Sequence, residues 1–406
     1  MSILIKNAKV LDGDNLIEKN ILIVDRFIKE ISDDKVTVDR VIDAKGNIAL
    51  PGLIDPHVHF REPGFTHKED FYTGSCAAAA GGVTTILDMP NTNPATTTLE
   101  ALEKKRELAK KSVVNYGLHF GASQDNTDQI KKAKNTPAVK VFMDLSTGEM
   151  MIEDEKALDG IFASKKIIAV HAEKEKVGKA IELIRPTKNY VYLCHISSEE
   201  ELNTIAHAKT QRTYTEVTPH HLFLSEEDKK ELGNLGLMKP ELKPKKDQEA
   251  LWEAVKKGKV DAIGSDHAPH TLEEKSQEKP AYGVPGVETT LPLLLDAVNN
   301  NRLTLPHMVR LCCENPAKIF RIQNRGRLKE EYFADITIVD INKEKRVENE
   351  KLFTKCRWSP FHGKTLKGWP ILTIVNGKVV FEEGHINNIK AEEVDINERE
   401  SRKSSV

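Results

Sequence analysis

The chain has 406 residues, 39% of them apolar and 30% charged, with a formal net charge of −2 at pH 7. This length fits two or three domains, or one large domain with an appendage, and the apolar fraction is enough for a buried core. The near-neutral balance gives no global field for nucleic acid or acidic lipid, so an anionic substrate has to be met by local cations. Five cysteines (Cys76, Cys194, Cys312, Cys313 and Cys356) are scattered without a Cys-x-x-Cys pair. That argues against a disulfide framework and for a reducing compartment. No basic-then-apolar leader opens the sequence and no apolar run approaches about 18 residues. The expected location is therefore the cytoplasm, with neither membrane nor nucleic acid as partner.

Residues 1–52 carry short β-type runs, Ile3-Leu4-Ile5, Ile21-Leu22-Ile23-Val24 and Val41-Ile42, separated by turns such as Asp12-Gly13-Asp14. Residues 326–386 have the same texture, with Ile336–Val339, Ile371–Val375 and Lys378–Phe381. Asn376-Gly377 between the last two is a strong hairpin signal. Neither end can bury a core alone, so the two are expected to form one small β-sandwich domain. Residues 387–406 read as a polar, mobile tail.

The middle, residues 53–325, has another rhythm. Apolar runs at Ile54–His59, Val83–Asp88, Val113–His119, Ala138–Asp144, Ile167–His171, Tyr190–His195, Tyr214–Val217 and Ala262–Asp266 alternate with helical stretches such as Leu99–Lys111, Glu199–Lys209 and Gln248–Lys257. Eight such units define an α/β chain with a (β/α)8 barrel, whose chemistry sits at the C-terminal strand ends.

Those ends carry polar residues that a packing argument does not call for. His57 and His59 are two apart, so an extended strand projects them together toward one metal ion, with Arg61 next in parity to meet an anion. The second run ends in a rigid turn offering Asn91. The fifth and sixth end in His171 and His195, and the eighth in Asp266-His267-Ala268-Pro269-His270. Lys140, in the middle of an apolar strand, is costly as a buried ammonium. Either it snorkels or pairs with a carboxylate such as Asp144, or carbon dioxide has converted its amine to an anionic carbamate able to bridge two metals. Imidazoles with carboxylate-type oxygens suit zinc best, with manganese or cobalt as alternatives. Cys194, Glu216, His220 and His221 form either a further metal or supporting cluster or simple packing. His67, His119, His207, His307, His362 and His385 have no evident partners and read as structural or exposed. No Gly-rich phosphate loop and no nucleophile elbow are present.

The sequence resembles the dihydroorotases of the amidohydrolase superfamily. Asp55-Pro56-His57-Val58-His59-Phe60-Arg61-Glu62-Pro63-Gly64 is similar to their first signature, and Ala262-Ile263-Gly264-Ser265-Asp266-His267-Ala268-Pro269-His270-Thr271-Leu272-Glu273-Glu274-Lys275 to their second. Thr215–Leu224 and Gly283–Thr289 are also typical, and the likeness runs from about residue 1 to 385. The resemblance implies zinc-dependent, reversible cyclisation of N-carbamoyl-L-aspartate to L-dihydroorotate in pyrimidine synthesis. It implies two zinc ions, one on His57, His59 and Asp266 and one on His171 and His195, bridged by carboxylated Lys140. Asp266 is then also the catalytic proton carrier. Arg61, Asn91 and His270 hold the substrate carboxylate, while the backbone around Ala268, Pro285 and Gly286 faces the ring amides. The loop from Asp144 to Gly148 sits where a closing loop is expected, but its Leu145-Ser146-Thr147-Gly148 departs from the family pattern and carries no assigned role.

Two rival readings share the pattern. Hydantoinases and allantoinases open cyclic amides in the same barrel, but Arg61 and the Asp266–His270 run favour a carboxylate-bearing substrate. A non-catalytic scaffold homologue would have lost metal ligands, whereas all six are present. The expected partner is a small-molecule substrate, with association with an aspartate carbamoyltransferase left open.

Overall fold

Each of the eight apolar runs forms a strand in a computed structural model of the protein, which describes residues 1–34, 36–144 and 150–397. The strands are Leu53–Val58, Val83–Asp88, Asn115–Leu118, Val139–Phe142, Ile168–His171, Val191–Leu193, Thr213–Val217 and Ala262–Ile263. They pair in parallel and are buried on both faces, which is why they read as continuous apolar runs rather than alternating ones.

Two seams close the (β/α)8 barrel. At His119 the chain leaves the second strand, to which its N–H still donates (Asp88 O, 3.0 Å), and Phe120–Gly121 continue onto the fourth. At the other seam Val58 bridges His267, and His59 N donates to His267 O at 2.8 Å. Asp55 Oδ1 ties the same seam by accepting from Ser265 N at 3.0 Å and His57 N at 3.2 Å. The predicted helices are present as Leu99–Ala109, Glu199–Ala208 and Lys245–Lys256. Ser198 and Glu201 form a capping box at the start of the second, a device worth about 1 kcal/mol.

The chain ends build one nine-stranded sheet. Its order is His385–Ile386, Lys378–Glu382, Thr365–Val375, Ile336–Arg346, Ile48–Pro51, Ser2–Asp12, Asn15–Val24, Phe27–Ser32, with Arg40–Asp43 also on Ser2–Asp12. The two ends meet where Ile336 faces Pro51 and Val339 faces Ile48 in antiparallel register. Ile3, Ile5, Ile21, Ile23, Ile336, Ile338 and Ile374 share the enclosed core. Asn376 (φ 49°) and Gly377 (φ 73°) turn the predicted hairpin with both residues left-handed, as a two-residue I′ turn requires. A Cβ on Gly377 would lie 2.1 Å from Asp25 O, so glycine is needed there for space as well as conformation.

The expectation of a free polar tail from residue 387 does not hold for its described part. Residues 391–397 run along the bottom of the barrel. Glu392 O accepts from Tyr116 N (3.0 Å), Val394 N donates to Tyr116 O (2.8 Å), and Glu393 takes both oxygens to Arg106 Nε. Val394 and Ile396 are 1% and 7% exposed and join the core beneath the strands. Composition hid these two apolar plugs among charged neighbours. The loop after the fourth strand, with Leu145-Ser146-Thr147-Gly148, lies outside the described residues.

Candidate active site

The strand ends place the expected residues around one cavity, lined by His57, His59, Arg61, Asn91, Lys140, Phe142, His171, His195, Lys239, Asp266, Ala268, Tyr282 and Gly283. Arg61 (φ 65°), His195 (φ 40°) and Asp266 (φ 45°) hold left-handed backbone just past their strands. Non-glycine residues there cost about 1–3 kcal/mol each, and such strain gathers where a side chain has to be aimed at a site.

The first donor set converges on Asp266. Its Oδ1 lies 3.3 Å from His57 Nε2 and 3.1 Å from His59 Nε2. The opposite nitrogens are engaged: His57 Nδ1 lies 2.9 Å from Glu216 Oε1, and His59 Nδ1 2.8 Å from Asn91 Oδ1. With the protons on Nδ1, both Nε2 lone pairs face Asp266, the arrangement by which a carboxylate or amide orients a metal-binding histidine. Glu216 also accepts from His195 N and Tyr192 Oη, each at 2.8 Å, so one buried carboxylate fixes His57 and the His195 backbone together.

The second set is His171 and His195, with His171 Nδ1 2.8 Å from His195 Nε2. Their remaining nitrogens, His171 Nε2 and His195 Nδ1, are buried with no hydrogen-bond partner among the described residues. Burial holds all four imidazoles well below the usual 6.5, in the neutral form that a metal requires. Burial likewise raises the Asp266 carboxyl from 3.8.

Lys140 is 1% exposed and lines the same cavity as both sets. Its Nζ reaches Cys194 Sγ at 3.1 Å and stands 5.1 Å over the Phe142 ring. Asp144, offered above as an ion-pair partner, is instead held by Lys176 at 2.8 Å. No carboxylate pairs with Lys140 among the described residues. A buried ammonium without a paired carboxylate is costly, and among these imidazoles the position suits a group that becomes an anion. The donor set of His57, His59 and Asp266 therefore fits a divalent metal ion.

Of the residues left open above, Glu216 is the carboxylate hub and Cys194 the partner of Lys140. Both carry an atom within the same 4.8 Å cluster as a His57 nitrogen. His221 is spent on Thr218 Oγ1 (2.8 Å) and Pro240 O (3.1 Å), which is structural. His119 Nε2 meets Pro56 O at 3.1 Å, again structural.

Arg61 spends Nε on Pro269 O and one Nη2 hydrogen on His270 Nε2, both at 3.0 Å. Its other Nη hydrogens have no partner among the described residues. Burial lowers its guanidinium to about 10, so it stays charged at neutral pH. His270 sits beside Arg61 rather than on the cavity wall. Burial first, then the Arg61 charge, lower it to about 2, so it is a neutral acceptor. Asn91 and Ala268 line the cavity as expected. Pro285 and Gly286 do not: the Gly286 N–H is consumed by His267 Nδ1 at 3.1 Å, and its carbonyl takes the Thr289 and Thr290 hydroxyls. Tyr282 and Gly283 occupy the wall instead, with Lys239 from another loop. Both loops are aperiodic and some forty residues apart, so only folding brings them together.

Residues 48–380 match the Amidohydrolase family. The chain belongs to the amidohydrolase family. A dihydroorotase of Methanosphaera stadtmanae is 36% identical, the match covering 95% of this chain and 97% of the relative. The multifunctional protein CAD of Squalus acanthias is 39% identical over 89% of this chain, a stretch that makes up 16% of that protein. Among solved structures, an L-hydantoinase from Arthrobacter aurescens superposes with a TM-score of 0.90 at 29% identity, covering 97% of this chain and 99% of that one. Within its family the chain stands with the dihydroorotases, as its two signatures imply.

Proposed function

We propose that this cavity interconverts L-dihydroorotate and N-carbamoyl-L-aspartate, with His57, His59 and Asp266 holding one zinc ion, His171 and His195 a second, and carboxylated Lys140 between them. The buried, unopposed Arg61 beside those donors carries the reading, because it gives a carboxylate-bearing ring a reason to bind where a neutral ring has none. Bound there, two zinc ions supply polarisation of the ring carbonyl and a water acidified to a pKa of about 7.

The chain's own residues do the rest. Arg61 presents its Nη edge, a planar fork that meets a carboxylate with two parallel hydrogen bonds. Asn91 shares the cavity lining with it. Asp266, with its carboxyl raised by burial, takes a proton from the attacking water and delivers it to the ring nitrogen as the amide C–N bond breaks and the C–O bond forms. Cyclisation is the reverse. Pro269 O and His270 hold Arg61 from behind, so the fork is pre-oriented.

The hydantoinase likeness makes a neutral cyclic amide the second reading. Turnover of L-dihydroorotate, hydantoin, dihydrouracil and allantoin, followed by ultraviolet absorbance before and after chelation and zinc restoration, separates the two. Dihydroorotate alone is expected to react, with activity lost on chelation and regained with zinc. Turnover of a neutral ring instead would overturn the role given to Arg61, and no turnover with zinc bound would favour a scaffold. Arg61→Ala is expected to raise KM for dihydroorotate by about 10²-fold, the worth of a charge-assisted pair, with a smaller change in kcat. An unchanged KM removes Arg61 from substrate binding.

The reading divides the chain into a barrel over 53–325 and a β-domain from 1–52 and 326–386, and places the enzyme in the cytoplasm. No helix among the described residues is long and apolar enough to cross a membrane. It also includes association with an aspartate carbamoyltransferase, the enzyme class that makes N-carbamoyl-L-aspartate. That the Squalus relative is one part of a multifunctional protein supports it.

A further inference from the structure

We propose that Lys275 is the positioning residue of the substrate-facing wall, holding Lys239, Tyr282 and Gly283 in place and thereby setting affinity for the ring; this rests on the cavity being the dihydroorotase site. Lys275 lies in the short helix Leu272–Ser276 and is 1% exposed. It lines no part of the cavity. Its Nζ donates to Leu237 O at 2.8 Å, Ala281 O at 2.9 Å and Gly283 O at 3.0 Å.

An ammonium has three hydrogens and no acceptor, so three carbonyls satisfy it one for one. Every acceptor belongs to the wall: Leu237 is two residues before Lys239, Ala281 precedes Tyr282, and Gly283 lines the cavity itself. The two loops are also joined directly, Gly283 N to Leu237 O at 3.0 Å. Tyr282 O lies 3.0 Å from His270 Nε2, the atom that also meets Arg61. The wall's Tyr282 carbonyl therefore touches the ring that backs Arg61.

Packing alone does not explain a lysine here. No carboxylate pairs with it among the described residues, and its nearest ring is Trp358, 5.6 Å from Nζ. Burial pushes it down to about 7, so keeping the charged form is a cost that an apolar side chain of the same length would avoid. What an apolar chain cannot do is tie three carbonyls from two loops to one point. Without the ammonium, Ala281 O and the buried Gly283 O lose this donor while Leu237 O keeps only the Gly283 N–H, and the loops relax until they find others.

The test is Lys275→Met, which keeps length and removes every donor, beside Lys275→Gln, which keeps an amide donor. Steady-state kinetics with L-dihydroorotate are measured together with metal content. The Met variant is expected to raise KM by about tenfold or more, the scale of one unpaired buried carbonyl, with kcat within about threefold and metal content equal to the parent's. The Gln variant is expected to fall between. An unchanged KM, or a loss of kcat in proportion to metal, overturns the proposal. If the Met variant is insoluble, the Gln variant decides by the same criteria. If the parent turns over hydantoin and not dihydroorotate, the functional reading has failed, and the same KM split measured with hydantoin still judges Lys275.

Discussion

Asp266→Asn is expected to lower kcat for L-dihydroorotate by about a thousandfold, within the range for loss of a positioned proton carrier. Asparagine preserves the shape that fits between His57 Nε2 and His59 Nε2, 3.3 and 3.1 Å away. It also preserves the left-handed backbone at this position, which asparagine tolerates better than most residues. What it removes is the negative charge and the basic oxygen. Fold and binding of the substrate carboxylate by Arg61 should persist, so KM changes little beside kcat. Metal analysis of the same sample separates weakened ligation from lost proton transfer. A variant that keeps its metal and loses turnover supports the proton role; near-normal turnover would remove Asp266 from it.

Lys140→Ala is expected to abolish both metal content and more than about 99% of activity, consistent with ligand losses of the kind that collapse a metal site. Lys140 shares the cavity lining with both donor sets, while Asp144 is held by Lys176 and Glu216 by Tyr192, His57 and His195. Removing the side chain leaves a slot beside Phe142 and Cys194 wide enough for a short carboxylic acid. Acetate or propionate is therefore expected to restore part of the metal and part of the rate, as a detached substitute for the carbamate. Full metal retention without any added acid would show that the bridge comes from elsewhere.

The chain displayed its barrel openly because parallel strands buried on both faces must be apolar throughout, and seven of the eight runs could be seen to end in a polar residue. His57, His59, His171, His195 and Asp266 stand at those ends, so position alone pointed to them. The edge strands were less legible. Ile3–Ile5 was visible, but Ser2–Asp12 continues through exposed polar residues whose alternation is broken by a bulge after Ile5. Phe27–Ser32 was missed for the same reason. Lys239, Tyr282 and Gly283 come from irregular loops, where no period marks what faces inward. Gly286 looked like a ring contact because its neighbourhood matches a family stretch, but His267 takes its N–H first. Val394 and Ile396 were concealed by a charged context that reads as solvent-facing.

The pairing of Ile336–Arg346 with Ile48–Pro51 has a consequence for how the molecule is made. Residue 51 leaves the ribosome nearly three hundred residues before residue 336 does. At about 5–20 residues per second the first strands wait roughly 15–60 s for their neighbour. For that interval Ile48–Pro51 is an open edge, and Ile3, Ile5, Ile21 and Ile23 have only part of their core. The barrel floor is likewise left open until Val394 and Ile396 arrive. Nascent chains stalled short of the last sixty residues should therefore bind holdase chaperones, while those released beyond residue 397 should not. The gene order of this fold makes its first-synthesised strands among the last to be secured.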